Sequence, residues 1–468
     1  MKYLIFGTGD YYERYKAWFD KKDVAALLDS APGKQNTMID GIRVMAPEEG
    51  IKLTFDCVVI LSFYVKEMRR QLTALGVAEN RIYHFYDLHR LFNISKCPLD
   101  VQCFGDLHEV TDCHKEDRIL LLSQDLTFGG PALALFHMAV ALQKQGHQVV
   151  YASMLDGPLK AQISDHGIPV VVDRRLQIGT MRQIEWIDDF SVVVCNTINF
   201  HVFLSDRDDR IPVIWWLHDS LFFYDGIDKN LLYSVSQTNL HTVSVGSVPS
   251  RAIQSFLPSL PVGRLLYGVE DVCPTERIRR RENTKVVFVT IGYIEARKGQ
   301  DILVRAVKKL SAEMRQQAVF YLVGQDTSLL AQDIRKQIWN MPEIMMTGTL
   351  GRGDIDRILD RADMLICPSR EDPMPTVAAE AMMHEVPCLL SDVTGTAEYI
   401  RPGVNGLLFR SEDADALAAE IAWAIMHCDR LSAMGLEARK LYEELFSMEA
   451  FESSLSQLME KVGRDGLK

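Results

Sequence analysis

Three times along this chain a short apolar strand runs into a glycine-bearing turn and then a helical stretch: YLIFGTG at 3–9, RILLLSQDLTFGG at 118–130 and KVVFVTIG at 285–292. Strand–turn–helix units of this kind build parallel sheets covered by helices, so the fold class is α/β. A length of 468 residues suits about three domains. The restarts predict a small Rossmann-like domain over 1–95, a polar linker over 96–116, a second block over 117–270 and a third over 271–445. The tail, 446–468, carries Phe451, Leu455, Leu458, Met459 and Val462 on one helical stripe and is expected to pack back on the second block.

The first restart resembles a dinucleotide site. Gly7 and Gly9 would let backbone meet a pyrophosphate, and Asp29, at the end of the next strand, would take a ribose hydroxyl. The third position of the G-x-G-x-x-G pattern is Tyr12, which would crowd that turn. Residues 1–95 are therefore read as an accessory module, with Gly7, Gly9 and Asp29 as its candidate ligand site.

The densest chemical signal runs from Ala362 to Phe409, ADMLICPSREDPMPTVAAEAMMHEVPCLLSDVTGTAEYIRPGVNGLLF. A strand ends at Cys367, a loop carries Glu371 and Asp372, and a helix is predicted to start near Pro375-Thr376. Proline is tolerated at a helix start because its missing N–H would have no partner there. The N–H groups of Thr376, Val377 and Ala378 would make an anion seat, with Glu380 one turn further along.

This block resembles the nucleotide-sugar signature of the retaining GT-B glycosyltransferases of family four, whose pattern runs E-x7-E-A-M, G-x-P-V, G-G/T-x-x-E and N-G-L-L-F. Asp372 takes the first acid position, because Asp372 to Glu380 has the required spacing and Glu371 comes one residue early. The resemblance implies a GT-B fold of two Rossmann-like domains facing a cleft, preceded by the extra front domain. It implies Asp372 on donor-sugar hydroxyls, Glu380 on the ribose, and the backbone of Met374, Pro375, Thr376 and Val377 on the diphosphate, with Glu371, Gly292, Gly348 and Gly395 completing the donor site. Lys298, in the loop GYIEARKGQ, matches the family's lysine on the leaving diphosphate. The usual arginine position is Tyr293 here, so Arg297 is the candidate replacement. Gly129 and Gly130 resemble the glycine loop for phosphate or acceptor, and His218-Asp219 the H-D pair at the cleft floor.

The implied chemistry is transfer of a sugar from a nucleotide-sugar donor (UDP-, GDP- or dTDP-linked) to a glycan or lipid-linked acceptor, with retention. Asp372, Lys298, Arg297 and His218 are the candidate catalytic residues. Fixed cations at the diphosphate take the place of a metal, so no metal and no cofactor are expected. Cys97, Cys103, Cys113, His108 and His114 lack a C-x2-C pair and are read as loop residues, and Asp206–Asp209 as a solvated surface run. Trp215 and Trp216 are read as strand core, and Cys195, Cys367 and Cys388 as buried reduced thiols.

A net charge of −12 disfavours nucleic-acid binding. Hydrophobic content of 47% with no apolar run of about 18 residues describes a globular chain without a span. Cytoplasmic location is expected, with peripheral contact at the inner membrane face or a protein partner through residues 1–95 as further options. The competing readings are a nucleotide-sugar epimerase of the same fold, a non-catalytic glycosyltransferase-like subunit and an NAD-dependent oxidoreductase. The last would require the front unit to be catalytic.

Overall fold

The structure, a computed structural model, describes residues 1–62, 64–94, 101–105, 117–273 and 285–465. The chain divides into two compact units. The first holds Met1–Trp215, Leu221–His241 and Phe256–Leu260; the second holds Trp216–Ser220, Thr242–Ser255 and the chain from Pro261 onward.

In the first unit, the front strands are β1 (Tyr3–Phe6), β2 (Val24–Leu28), β3 (Met38–Ile39), β4 (Ile42–Met45), β5 (Cys57–Ile60) and β6 (Ile82–His84). They form one sheet in the order β3-β4-β2-β1-β5-β6, parallel except for the β3–β4 pair. Apolar runs such as VAALL and CVVI are covered on both faces, as expected of parallel strands.

A second sheet follows with β7 (Gln102–Phe104), β8 (Arg118–Ser123), β9 (Gln148–Ser153), β10 (Val170–Val172), β11 (Val192–Asn196) and β12 (Val213–Leu217), in the order β12-β11-β8-β9-β10-β7. β7 lies in the stretch expected to be linker. It pairs antiparallel with the edge strand β10, matching Val171 with Cys103. Its three residues are too few to show alternation, and the open edge of β10 recruits them. Cys97, His108, Cys113 and His114 lie outside the described residues.

β13 (Leu240–Ser244) and β14 (Gly263–Arg264), parallel to each other, continue the second sheet beyond β12 to make eight strands. The third sheet comprises β15 (Val286–Ile291), β16 (Ala318–Val323), β17 (Ile344–Gly348), β18 (Met364–Cys367), β19 (Cys388–Ser391) and β20 (Gly406–Phe409), all parallel. Its order is β17-β16-β15-β18-β19-β20, so the chain reverses direction across the sheet between β15 and β18. The helix Gln300–Lys309 buries Ile302, Leu303, Val304, Ala306 and Val307 against this sheet. Each large apolar side chain so covered contributes about 1.5–3 kcal/mol. Phe288 and Phe320 stack at 4.9 Å between neighbouring strands. Among the described residues no helix is long and apolar enough to cross a membrane.

Candidate functional site

Open parallel sheets bind ligands beyond the strand ends where the order reverses. In the third sheet that point lies between β15 and β18. The loop after β15 carries Lys298 and the loop after β18 carries Asp372. The Lys298 Nζ lies 2.6 Å from Asp372 Oδ2, and both side chains are largely shielded from solvent. The Ser369 hydroxyl also donates to that oxygen, at 3.4 Å.

Two glycines explain how the loops come so close. Gly299, at φ +70°, has its α-carbon so near the chain leaving β18 that a β-carbon would sit 2.0 Å from the Pro368 carbonyl oxygen. On the other side, a β-carbon on Gly395 would sit 1.7 Å from the Pro373 carbonyl oxygen, and the Gly395 N–H donates to the Asp372 carbonyl at 2.9 Å. Asp372 is thus held in a buried loop pinned from both directions.

Arg370, which sequence reasoning did not single out, ties the same loops together. Its guanidinium donates to both Asp301 oxygens at 2.7 Å, to the Ala296 carbonyl at 2.6 Å and to Glu412 at 2.6 Å. Hydrogen bonding to Asp301 pushes its pKa further above the usual arginine range. Arg297 donates to the Glu371 carbonyl at 3.2 Å and pairs with Glu295 at 2.8 Å.

The helix Thr376–Met383 starts as expected, with Pro375 as its extended cap residue. The anion seat is narrower than the sequence implied, because the Ala378 N–H already donates to the Pro375 carbonyl at 3.0 Å. A proline cap at φ −64° curls the first turn back onto its own carbonyl. Of the three candidate N–H groups this leaves those of Thr376 and Val377. Met374 is buried, and its carbonyl accepts from the Tyr267 hydroxyl at 3.4 Å. Further along the helix, Glu380 Oε1 pairs with Arg352 Nη1 at 2.5 Å. Arg352 opens the helix Arg352–Arg361 and has no distinguishing local signal in GRGD. Gly292 follows β15 and Gly348 ends β17, and Gly324 joins them, donating to the Gly348 carbonyl at 2.9 Å.

His218 and Asp219 follow β12 and are buried in the same unit as Asp372. The His218 ring lies 4.6 Å from that of Trp216, and its Nε2 has no hydrogen-bond partner among the described residues. Burial pushes its pKa down to about 3, so the imidazole is neutral at pH 7. Trp216 is core, as expected: its indole N–H donates to the Leu265 carbonyl at 2.9 Å and its ring stacks on Phe451 of the tail helix Met448–Asp465. Cys195, Cys367 and Cys388 are buried free thiols.

In the first unit, Gly129 caps the helix Gly130–Lys144, and Asp125 shapes the approach by accepting from the Thr127 N–H at 3.0 Å and its hydroxyl at 2.6 Å. The run Asp206–Asp209 is solvated only in part: Asp206 is exposed and Asp209 half-buried, whereas the two residues between them are buried. Arg207 is buried and donates to the carbonyls of Ser236, Thr238, Ile211 and Asn239 at 2.6–3.2 Å. Asp208 is buried too and accepts two bonds from Arg210 Nε at 3.0 Å. A guanidinium satisfying distant carbonyls leaves no mark on the charge pattern of its own segment.

In the front motif the candidate groups make contacts within their own domain. Gly7 donates to the Leu28 carbonyl at 2.9 Å, and Gly9 caps a helix, Asp10–Tyr15, of only six residues. Tyr12 is buried in that helix, its hydroxyl donating to Asp40 at 3.1 Å. Asp29 already accepts from the Thr8 hydroxyl, from the Ala31 N–H at 2.9 Å and from Lys34 at 3.3 Å. Burial by itself would raise its pKa; these donors outweigh it and hold the carboxyl below the usual range. Among the described residues no group of three or more His, Cys, Asp or Glu is placed to hold a metal ion.

A parallel sheet whose order reverses where a cationic and an acidic loop meet, ahead of a helix start, is an arrangement of the kind expected in a GT-B fold. Residues 274–441 match the family described as Glycosyl transferases group 1, residues 115–245 match Glycosyl-transferase family 4, and residues 1–83 match C2185-like, N-terminal. The chain belongs to the group 1 family of GT-B glycosyltransferases. It is 24% identical over 353 residues to alpha-maltose-1-phosphate synthase of Mycobacterium tuberculosis, covering 70% of this chain and 81% of that one. It is 21% identical over 421 residues to the alpha-1,3/1,6-mannosyltransferase ALG2 of Rhizomucor pusillus, covering 74% and 92%. In fold it is similar to Anabaena Alr3699/HepE in complex with UDP and glucose, at a TM-score of 0.62 and 18% identity over 74% of this chain and 99% of that one.

Proposed function

We propose that this protein transfers a sugar from a nucleotide sugar to a glycan or lipid-linked acceptor with retention of anomeric configuration and without a metal, in the assembly of a cell-surface polysaccharide or glycan. The observation that carries the reading is the Lys298–Asp372 pair at the reversal of the third sheet, 2.6 Å apart. Donor arrival separates the two: Lys298 turns to the leaving diphosphate, and Asp372 accepts hydrogen bonds from donor-sugar hydroxyls. Thr376 and Val377 N–H groups seat the diphosphate at the helix start, where the dipole favours an anion. Arg297 reaches the diphosphate only by sharing or leaving Glu295, so Lys298 is the principal cation. Glu380 takes the ribose once Arg352 shares or releases it.

The acceptor hydroxyl oxygen bonds to the anomeric carbon on the face from which the diphosphate departs. The bond from that carbon to the phosphate oxygen breaks, and that oxygen takes the hydroxyl proton. Lys298 and the helix start take up the charge, fixed in place before the bond breaks. Neutral His218 donates or accepts one hydrogen bond at the sugar without adding charge. Gly129, Gly130 and Asp219 serve the acceptor or its phosphate. The complexes of Alr3699/HepE with UDP and UDP-glucose make a UDP-sugar the first donor to test.

A thermal-shift series with UDP, GDP, dTDP, UDP-glucose, GDP-mannose and NAD reads donor class directly, and NMR of the released sugar or product reads the anomer. Stabilisation by one nucleoside diphosphate and its sugar is the expected result, with Lys298→Ala weakening both and Asp372→Asn losing chiefly the part that the sugar adds. Stabilisation by NAD alone, or full transfer by either variant, overturns the assignment.

A further inference from the structure

Two adjoining cavities in the first unit are unused by this chemistry, and they share Lys66 as a wall. The first, about 220 Å³, lies where the front domain meets the segment Leu221–Gly226, which starts three positions after His218. Its walls are aromatic on both sides. Phe85 and Tyr86 of the front domain lie 4.2 Å apart, and Phe222 and Phe223 face each other edge-on at 5.4 Å.

These walls are built in place. A β-carbon on Gly226 would come within 2.9 Å of the Tyr86 ring, and Lys66 pairs with Asp225 at 2.5 Å across the rim. Phe222 stays 40% exposed although other aromatics nearby are core, so its ring is presented rather than stored. Aromatic faces with charged groups at the edge match a sugar ring, whose C–H faces stack while its hydroxyls take the edge groups. The volume suits one ring.

The second cavity, about 470 Å³, runs along the helix Val65–Ala74 and is lined by Lys66, Arg69, Arg70 and Glu79. Glu79 pairs with Arg69 at 2.5 Å, and Glu67 and Asp225 stand on the side of the first cavity, so Arg70 is the cation this groove adds. A basic groove beside a sugar-sized aromatic pocket complements a sugar with an anionic substituent.

We infer that the front domain and the segment after His218-Asp219 form a subsite for an acidic sugar unit of the acceptor, a pyranose carrying a phosphate or a carboxylate. The ring lies between Phe222 and the Phe85-Tyr86 pair, and the anion lies on Arg70, with Lys66 shared between it and Asp225. Calling it an acceptor subsite rests on the transferase reading; the binding itself does not.

Saturation-transfer NMR on the full chain, with saturating UDP to occupy the donor site, tests it using glucose, glucuronate and glucose 1-phosphate as probes. The two charged probes stand for the two sources of the anion. One or both should bind more tightly than glucose, with the advantage fading at high salt. Phe222→Ala should weaken binding of the charged probe about tenfold, and Arg70→Ala should bring it down to the glucose level, with UDP binding unchanged in both. No transfer to any probe, or binding untouched by both substitutions in folded protein, overturns the subsite. Loss of UDP binding in the parent chain would instead fault the donor assignment and leave the sugar measurement standing.

Discussion

Lys298 and Asp372 lie 74 positions apart in the chain, yet an ammonium and a carboxylate meet at 2.6 Å. The meeting is a consequence of strand order. β15 and β18 are neighbours, with Phe288 beside Met364 and Val289 beside Leu365, so the two loops leave the sheet side by side.

Replacing either partner should spare the fold and remove catalysis. Lys298→Ala loses a preorganised cation, an effect of about 3 kcal/mol on the barrier, or on the order of a hundredfold in kcat. Asp372→Asn keeps the shape and removes the charge, so it should weaken donor-sugar recognition more than UDP binding. Steady-state kinetics beside UDP titration separate the two, and equal loss of UDP affinity in Asp372→Asn would contradict the assigned role.

Gly395→Ala should act through backbone geometry. Its β-carbon would meet the Pro373 carbonyl at 1.7 Å, and backbone has no flexible end to give way. A cost of about 1–3 kcal/mol is expected from overpacking, with the loop of Asp372 displaced. Urea unfolding reads the first effect and loss of UDP-sugar stabilisation the second. A variant that matches the parent in both would show that this close approach is dispensable.

Two buried histidines in the first unit set an acid limit on stability. Burial lowers the pKa of His84 and of His201 to about 4. Each is neutral in the fold and takes a proton more readily when unfolded, so the unfolded state binds more protons below the ordinary histidine value of about 6.5. Stability should therefore be full above that value and fall as pH drops toward 4. His201→Gln should flatten this part of the profile, and a slope unchanged in the variant would count against the assignment.

Arg14 couples the front domain to the glycine loop of the second block. Its guanidinium pairs with Asp125 at 3.2 Å, and Asp125 in turn holds Thr127 just ahead of Gly129. Arg14→Ala should cost no more than about 1 kcal/mol, since the pair is partly exposed. Hydrogen exchange should quicken over residues 124–130 and stay unchanged in β15–β20. Exchange that is unaltered at 124–130 would mean that the loop stands without the front domain.

The apolar runs of β1, β8, β11, β15 and β18 are legible in the chain because parallel strands are covered on both faces. β4, read as IRVM, and β20, read as GLLF, are not, since short or glycine-led strands carry little periodic signal. Lys298, Asp372 and Glu380 are legible by spacing within motifs. Arg352, Arg370 and Gly324 are not, because each is defined by a partner far along the chain. The buried Arg207 shows the same limit in reverse, a charged residue whose four carbonyl acceptors appear only once the chain is folded.

The sequence by itself determined that three strand–turn–helix units follow one another, that the last carries a block resembling a nucleotide-sugar signature, and that Tyr12 breaks the glycine pattern of the first. Tertiary structure decided that Lys298 faces Asp372, that Glu380 is met by Arg352, that Asp29 is already satisfied by Thr8, Ala31 and Lys34, and that aromatic rings of the front domain meet those after His218. Periodicity and glycine punctuation are local properties of a chain. The pairing of charges and rings depends on which strands become neighbours, and burial of the whole sheet settles that.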